Sequence, residues 1–346
     1  MIRTTQSYFT GAFIVTFAGL VGACWLGWVF TGTLLGAGQF LLIGTILAAL
    51  EISLSFDNAI VNANTLKNMQ AKWQKRFLTW GILIAVFGMR IIFPLVVVSI
   101  AAHVGPLEAI QMAATEPQEY ARLMDESHLP IAAFGGTFLM MVSLSFFVDC
   151  EKEIHWISAV ERRLGICGRM RGFSVVLVLI IIAGFTFYLQ NPEKTVFFTS
   201  AIAGLITFVL VEFLGGFLDN STGTSGVAKA GLGGFLYLEV LDASFSFDGV
   251  IGAFALTKNL FLIAIGLGIG AMYVRSMTIM IVEKKTLAQF RYLEHGAFYS
   301  ILALALIMFA QSIVEIPEMV TGLVGVSLIG LSFWSSIRFN RKNGLS

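Results

Sequence analysis

Ten runs of about 18 or more predominantly apolar residues divide this chain, each long enough to cross a bilayer as a helix. They cover about 8–30, 38–62, 77–102, 130–149, 172–190, 195–217, 232–256, 259–282, 296–314 and 318–337. Inside lipid every backbone N–H and C=O must be satisfied within the protein, so runs of this length have to be helices. Composition agrees: charged residues are 12% of the 346, about half the share found in soluble domains. The expected fold is all-α, one polytopic transmembrane domain over residues 1–346. A net charge of +1 offers no electrostatic footprint for nucleic acid.

The basic residues sort by side. Seventeen of the 22 Lys and Arg residues fall in segments that ten crossings place together, including 67–76, 152–171, 284–291 and 338–342. Only Arg122, Lys194 and Lys258 fall on the other side, while Arg90 and Arg275 lie within spans. The positive-inside rule then puts both termini in the cytoplasm, with the chain in a bacterial inner membrane. Cys24, Cys150 and Cys167 are too scattered for a metal pair or a disulfide framework. "LVGAC", ending at Cys24, is not expected to be a lipoprotein box, because apolar "WLGWVF" follows it directly. The basic stretch 150–171 reads as a solvated loop along the inner surface.

Two apolar runs carry the same acidic phrase. "EISLSFDNAI" (51–60) recurs as "DASFSFDGVI" (242–251). Ser53, Ser55, Phe56, Asp57, Ile60, Lys67 and Asn68 match Ser244, Ser246, Phe247, Asp248, Ile251, Lys258 and Asn259, and Glu51 matches Asp242 conservatively. Each copy precedes an apolar run with one buried arginine, Arg90 or Arg275. The copies fall on the second and seventh runs. That odd separation makes them enter the bilayer from opposite sides. The pattern predicts a five-plus-five inverted repeat, with halves at about 1–190 and 191–346. In secondary transporters so built, the binding site sits near the midplane.

The chemistry of the phrases points to a cation. A carboxylate at the bilayer centre costs about 2.5–3.5 kcal/mol or more. Glu51, Asp57, Glu239, Asp242 and Asp248 all fall within runs. Arg90 and Arg275 can balance two of them, which leaves a divalent cation or protons for the rest. On a continuous helix Glu51, Ser55, Asn58 and Asn62 share one face, as do Glu239, Asp242, Ser246 and Gly249. Asp57 and Asp248 sit about 240° away and join that face only if the helix unwinds near Ser-x-Ser. Carboxylate, amide, hydroxyl and freed carbonyl oxygens form a hard-donor set suited to Mn²⁺, Mg²⁺ or Ca²⁺. The four histidines lie near span ends and no cysteine is in a phrase, which disfavours Zn²⁺ or Cu⁺. The competing explanation is packing alone, with acids and arginines paired to fix helices.

"EISLSFDNAIVNA", "SFSFDGVIGAFA" and "LEHGAFYSILALALI" resemble the TerC family of integral membrane proteins, and "FGGTFLMMVSLSFFVD" resembles its branch described as a domain of unknown function. That family was named for tellurite resistance. The resemblance implies Mn²⁺ efflux, with Glu51, Asp57, Asn58, Glu239, Asp242 and Asp248 as metal ligands. The second copy departs from the first in having Gly249 where Asn58 stands.

Three function classes follow. The leading expectation is a divalent-cation transporter without a permanently bound cofactor, working by alternating access around Asp57 and Asp248, with protons as coupling ion. In the metal-ligand set, Ser55, Asn62, Arg90, Ser246 and Arg275 are supporting residues. A second class is a membrane partner that supplies metal to exported proteins beside the translocon. The third is an intramembrane aspartyl protease, in which two acids share a proton. "SFDN" and "SFDG" lack the GxGD and PAL motifs of that group, so no enzymatic activity is expected.

Overall fold

The computed structural model describes residues 5–81, 84–150, 152–168, 170, 172–220, 231–314 and 316–344. Arg3, Arg169, Arg171 and Lys229, part of the basic sorting, lie outside the described residues. Every regular element among the described residues is helical. In chain order these are α1 (Thr5–Thr31), α2 (Leu34–Leu54), α3 (Phe56–Leu66) and α4 (Ala71–Arg76), then π-helical turns at Phe77–Gly81 and Ile84–Ile92. Next come α5 (Phe93–Ala102), α6 (Pro106–Thr115), α7 (Pro117–Glu126), α8 (His128–Phe147), α9 (Ser158–Gly168) and α10 (Phe173–Tyr188). The chain continues with α11 (Glu193–Asn220), α12 (Leu232–Leu256), α13 (Leu260–Glu283), α14 (Thr286–Gln289), α15 (Leu293–Ala310) and α16 (Glu318–Lys342).

Seven of these helices are long and apolar enough to cross a membrane: α1, α2, α8, α11, α13, α15 and α16. The α9–α10 pair, bent by 110° between its helices, adds an eighth only when the two are taken as one span. The chain is a multi-pass, all-α membrane protein. Two of the ten expected spans differ for physical reasons. Run 77–102 is divided into π-helical turns and the short α5. Pro94 has no N–H to give the Arg90 carbonyl, so a regular α-helix cannot pass this point unaltered. The other is α12, which is 25 residues long but carries Glu239, Asp242 and Asp248.

The chain forms two compact units, each drawn from both halves of the sequence. The first comprises 1–59, 71–128 and 245–280, and the second 60–70, 129–244 and 281–346. The first phrase therefore runs out of unit 1 into unit 2, and the second phrase runs the other way.

In unit 1, α1 and α2 form a hairpin through Gly32, whose φ of +65° suits a residue without Cβ. Thr33 caps α2, its side chain accepting from the Gly36 N–H at 3.1 Å. Small residues then let α2 lie against α13. A Cβ added at Gly266 would sit 2.5 Å from Leu47 Cβ, and one at Gly270 would sit 2.1 Å from Glu51 Cγ. Gly44 likewise faces Leu262. This close approach at glycines spaced four apart is how membrane helices pack without a hydrophobic driving force. Contacts advance together along both helices, so α2 and α13 run parallel. Tyr120 of α7 is fully buried against Phe254.

Unit 2 is organised on α8, which is buried through most of its length. Gly136 faces Phe309 of α15, Gly204 of α11 abuts the Phe134 carbonyl, and Ser143 Oγ donates to Phe298 O at 2.9 Å. Phe138 packs edge-on against Phe208.

Candidate functional site

The helix break expected near Ser-x-Ser is present in the first phrase and absent from the second. α2 stops at Leu54, Ser55 takes φ −96° and ψ 17°, and α3 begins at Phe56. In the first turn of α3 the Asn58 N–H donates to Asp57 Oδ1 at 2.8 Å. By contrast α12 is continuous from Leu232 to Leu256. Asp248 belongs to that helix, and its side chain lies outside the described residues. On an unbroken helix it stays about 240° from Asp242. The expectation that unwinding brings the second aspartate onto the common face is corrected accordingly.

Within unit 1 the arginine and the first acid are together. Glu51, 4% exposed, receives Arg90 Nη2 on Oε1 at 2.5 Å, and Ser55 Oγ donates to the same oxygen at 3.1 Å. Arg90 Nε donates to the Leu267 carbonyl at 3.1 Å, so its guanidinium ties Glu51 to α13. The second phrase meets the first here: a Cβ at Gly249 would come within 3.0 Å of Glu51 Oε2. A side chain at 249 would press on the carboxylate that Arg90 holds, which the glycine avoids. Asp57 and Asn58 are both buried, and Asn58 Oδ1 has no hydrogen-bond donor. Ser246 Oγ and Arg275 Nε are also buried without a hydrogen-bond partner.

Within unit 2 the phrases meet again. Asn62 Nδ2 donates to Asp242 Oδ1 at 2.8 Å, with both residues buried. Asn62 Oδ1, the nearby Asn64 Oδ1 and Glu239 Oε1 are buried acceptors that no donor reaches. Asn64 was not among the residues singled out from sequence. As the first phrase advances from Glu51 to Asn62, its partner retreats from Gly249 to Asp242. Among the described residues no three His, Cys, Asp or Glu side chains converge closely enough to hold a metal ion. The gathered oxygens are instead a mixture of carboxylate and amide.

A second buried polar cluster had no signal in the sequence, where 150–171 reads as a solvated loop. Glu161 of α9 is 0% exposed. Its Oε1 accepts the backbone N–H groups of Trp156 (3.1 Å) and Ile157 (3.0 Å) and the Tyr299 hydroxyl (3.3 Å). Lys152 Nζ lies 3.1 Å from Oε2, while His155 Nδ1 and His295 Nε2 each lie at 3.4 Å. Burial alone would raise the Glu161 carboxyl. The His295 hydrogen bond, the Ile157 N–H and the Lys152 charge outweigh it and hold the group well below the usual carboxylate range.

Residues 56–343 match the family described as "Protein of unknown function (DUF475)". No curated protein and no solved structure matches the chain. The chain belongs to the DUF475 family.

Proposed function

We propose that this DUF475 member carries a hard divalent cation across the bacterial inner membrane, with the two acidic phrases as its ligands. The carrying observation is the set of buried acceptor oxygens within unit 2 that no donor reaches: Asn62 Oδ1, Asn64 Oδ1 and Glu239 Oε1, beside Asp242. A buried acceptor without a donor costs about 1–3 kcal/mol, and a cation satisfies several such atoms at once. Packing alone accounts for Glu51 with Arg90 but leaves those oxygens unexplained. All are hard donors, which favours Mn²⁺, Mg²⁺ or Ca²⁺ over Zn²⁺. The TerC resemblance favours Mn²⁺ and export. The basic sorting supports cytoplasmic termini, and the recurrence of the phrase five runs apart supports inverted halves at about 1–190 and 191–346.

The test is binding of Mn²⁺, Mg²⁺, Ca²⁺ and Zn²⁺ to purified protein, with flux measured in liposomes. Asp242→Asn should abolish Mn²⁺ binding and Asn62→Ala should strongly weaken it while leaving the protein folded, since one removes the charge and the other an amide acceptor. Glu239→Gln should weaken it less, because the first copy has Ala48 at the corresponding place. Full-strength Mn²⁺ binding by the folded double mutant would end the proposal. So would a folded wild type that binds none of the four ions.

A further inference from the structure

The Glu161 cluster holds three basic nitrogens against one carboxylate oxygen, although a single cation already balances its charge. The three differ in how they are held. His295 Nε2 lies 2.8 Å from the Ile154 carbonyl, so that nitrogen carries the hydrogen and donates. Its Nδ1 is buried without a hydrogen-bond partner. His155 is the opposite case: its Nδ1 makes no hydrogen bond and faces the anionic oxygen directly, on a side chain 20% exposed. A proton on that nitrogen would turn a contact into a charge-assisted hydrogen bond.

Lys152 is the partner able to leave. Burial lowers its ammonium group, against the opposing pull of Glu161, Glu294 and Asp149. It stands over the Phe146 ring at the rim of a cleft of about 540 Å³, which Glu294, His295 and Arg291 also line. Glu294 in turn pairs with Lys67 at 3.4 Å, just past the end of α3. The same short helix carries Asn62, which holds Asp242.

We propose that this cluster is a proton-loaded latch: a proton taken up at His155 displaces Lys152 from Glu161 toward Glu294, loosening the Glu294 hold on Lys67 and so on α3. The charged and titratable groups around His155 are Glu161 from α9, and Lys152, Asp149 and Glu153 from its own loop. From the start of α15 come Glu294, His295 and Tyr299, preceded by Arg291. Acidification loads the latch, imidazole being the side chain that commonly serves as a pH switch. Glu161, held low, remains the anion throughout. The influence on α3 matters to transport only if the reading above holds, but the latch itself needs no metal.

The experiment is limited trypsin digestion of the full chain in liposomes at pH 7.5 and 5.5. Cleavage after Lys152 and after Lys67 is each divided by cleavage after the exposed Lys284 in the same sample, which cancels the protease's own pH dependence. Both ratios should rise by about tenfold or more in wild type, as cleavage follows the population of the open form. They should stay flat in His155→Asn. Glu161→Gln should give a high Lys152 ratio at both pH values. A flat wild-type ratio, or the same rise in His155→Asn, overturns the latch. A rise at Lys152 without one at Lys67 overturns the link to α3. Mn²⁺ flux in the same liposomes is read separately: its absence at every pH counts against transport and leaves the ratios to judge the latch.

Discussion

The two copies of the acidic phrase share Ser-x-Ser-Phe-Asp and yet are built differently. In the first, Ser55 donates to Glu51, Glu51 is clamped by Arg90, and the helix breaks at Ser55. In the second, Ser246 Oγ is buried without a partner and α12 runs through unbroken. Ser53 and Ser244 behave alike, each hydroxyl donating to the carbonyl four residues back. The difference therefore arises one turn on, from what holds the first acid. The longer Glu51 reaches an arginine on one side and its own serine on the other, whereas Asp242 is held by Asn62 from the opposite copy. Duplicated sequence thus supplies two similar helices, one interrupted at Ser55 and the other continuous.

The largest effect expected from breaking this comparison is at Arg90. Arg90→Gln leaves Glu51 as an uncompensated buried charge, which costs about 3–5 kcal/mol. Thermal melting in detergent should show a large drop, and adding Glu51→Gln should recover much of it. A melting temperature unchanged by Arg90→Gln would show that the clamp does not stabilise the first copy.

A middle-sized effect is expected from making the copies alike. Gly249→Asn restores the first copy's residue but drives a side chain into Glu51 Oε2, at a cost of about 1–3 kcal/mol for overpacking. The same melt measures it. If the variant is as stable as wild type, Glu51 does not dictate the glycine.

The smallest effect separates the serines by sign. Ser55→Ala removes a hydrogen bond to a carboxylate and should cost about 1 kcal/mol. Ser246→Ala removes an unsatisfied hydroxyl and should be neutral or slightly stabilising. Equal losses at both positions would mean the copies are held alike after all.

Much of this architecture was legible in the sequence, because a bilayer makes the rule local. A run of apolar residues must be a helix wherever it lies, so the α-helical, multi-pass fold follows from composition and run length. The repeat and its buried acids were visible by alignment of the chain with itself. Run 77–102 was less legible: its hydropathy hides π-helical turns that follow from one proline near a buried arginine. The interruption was visible only as a competence, since both copies contain Ser-x-Ser and one breaks. The Glu161 cluster was not legible at all. Its charge run 150–171 has the composition of a solvated loop, yet Glu161 is buried by Tyr299 and His295, more than 130 residues away.

The sequence by itself determined which segments are helical and that two related acidic phrases interrupt apolar runs, because hydrophobic patterning and helix formation depend on residues close together in the chain. Only the tertiary structure decided the partners: Glu51 with Arg90 and Gly249, Asn62 with Asp242, Glu161 with Lys152 and two histidines. A buried charge is stable only beside a group of matching charge or hydrogen-bonding capacity, and packing brings that group from a distant part of the chain.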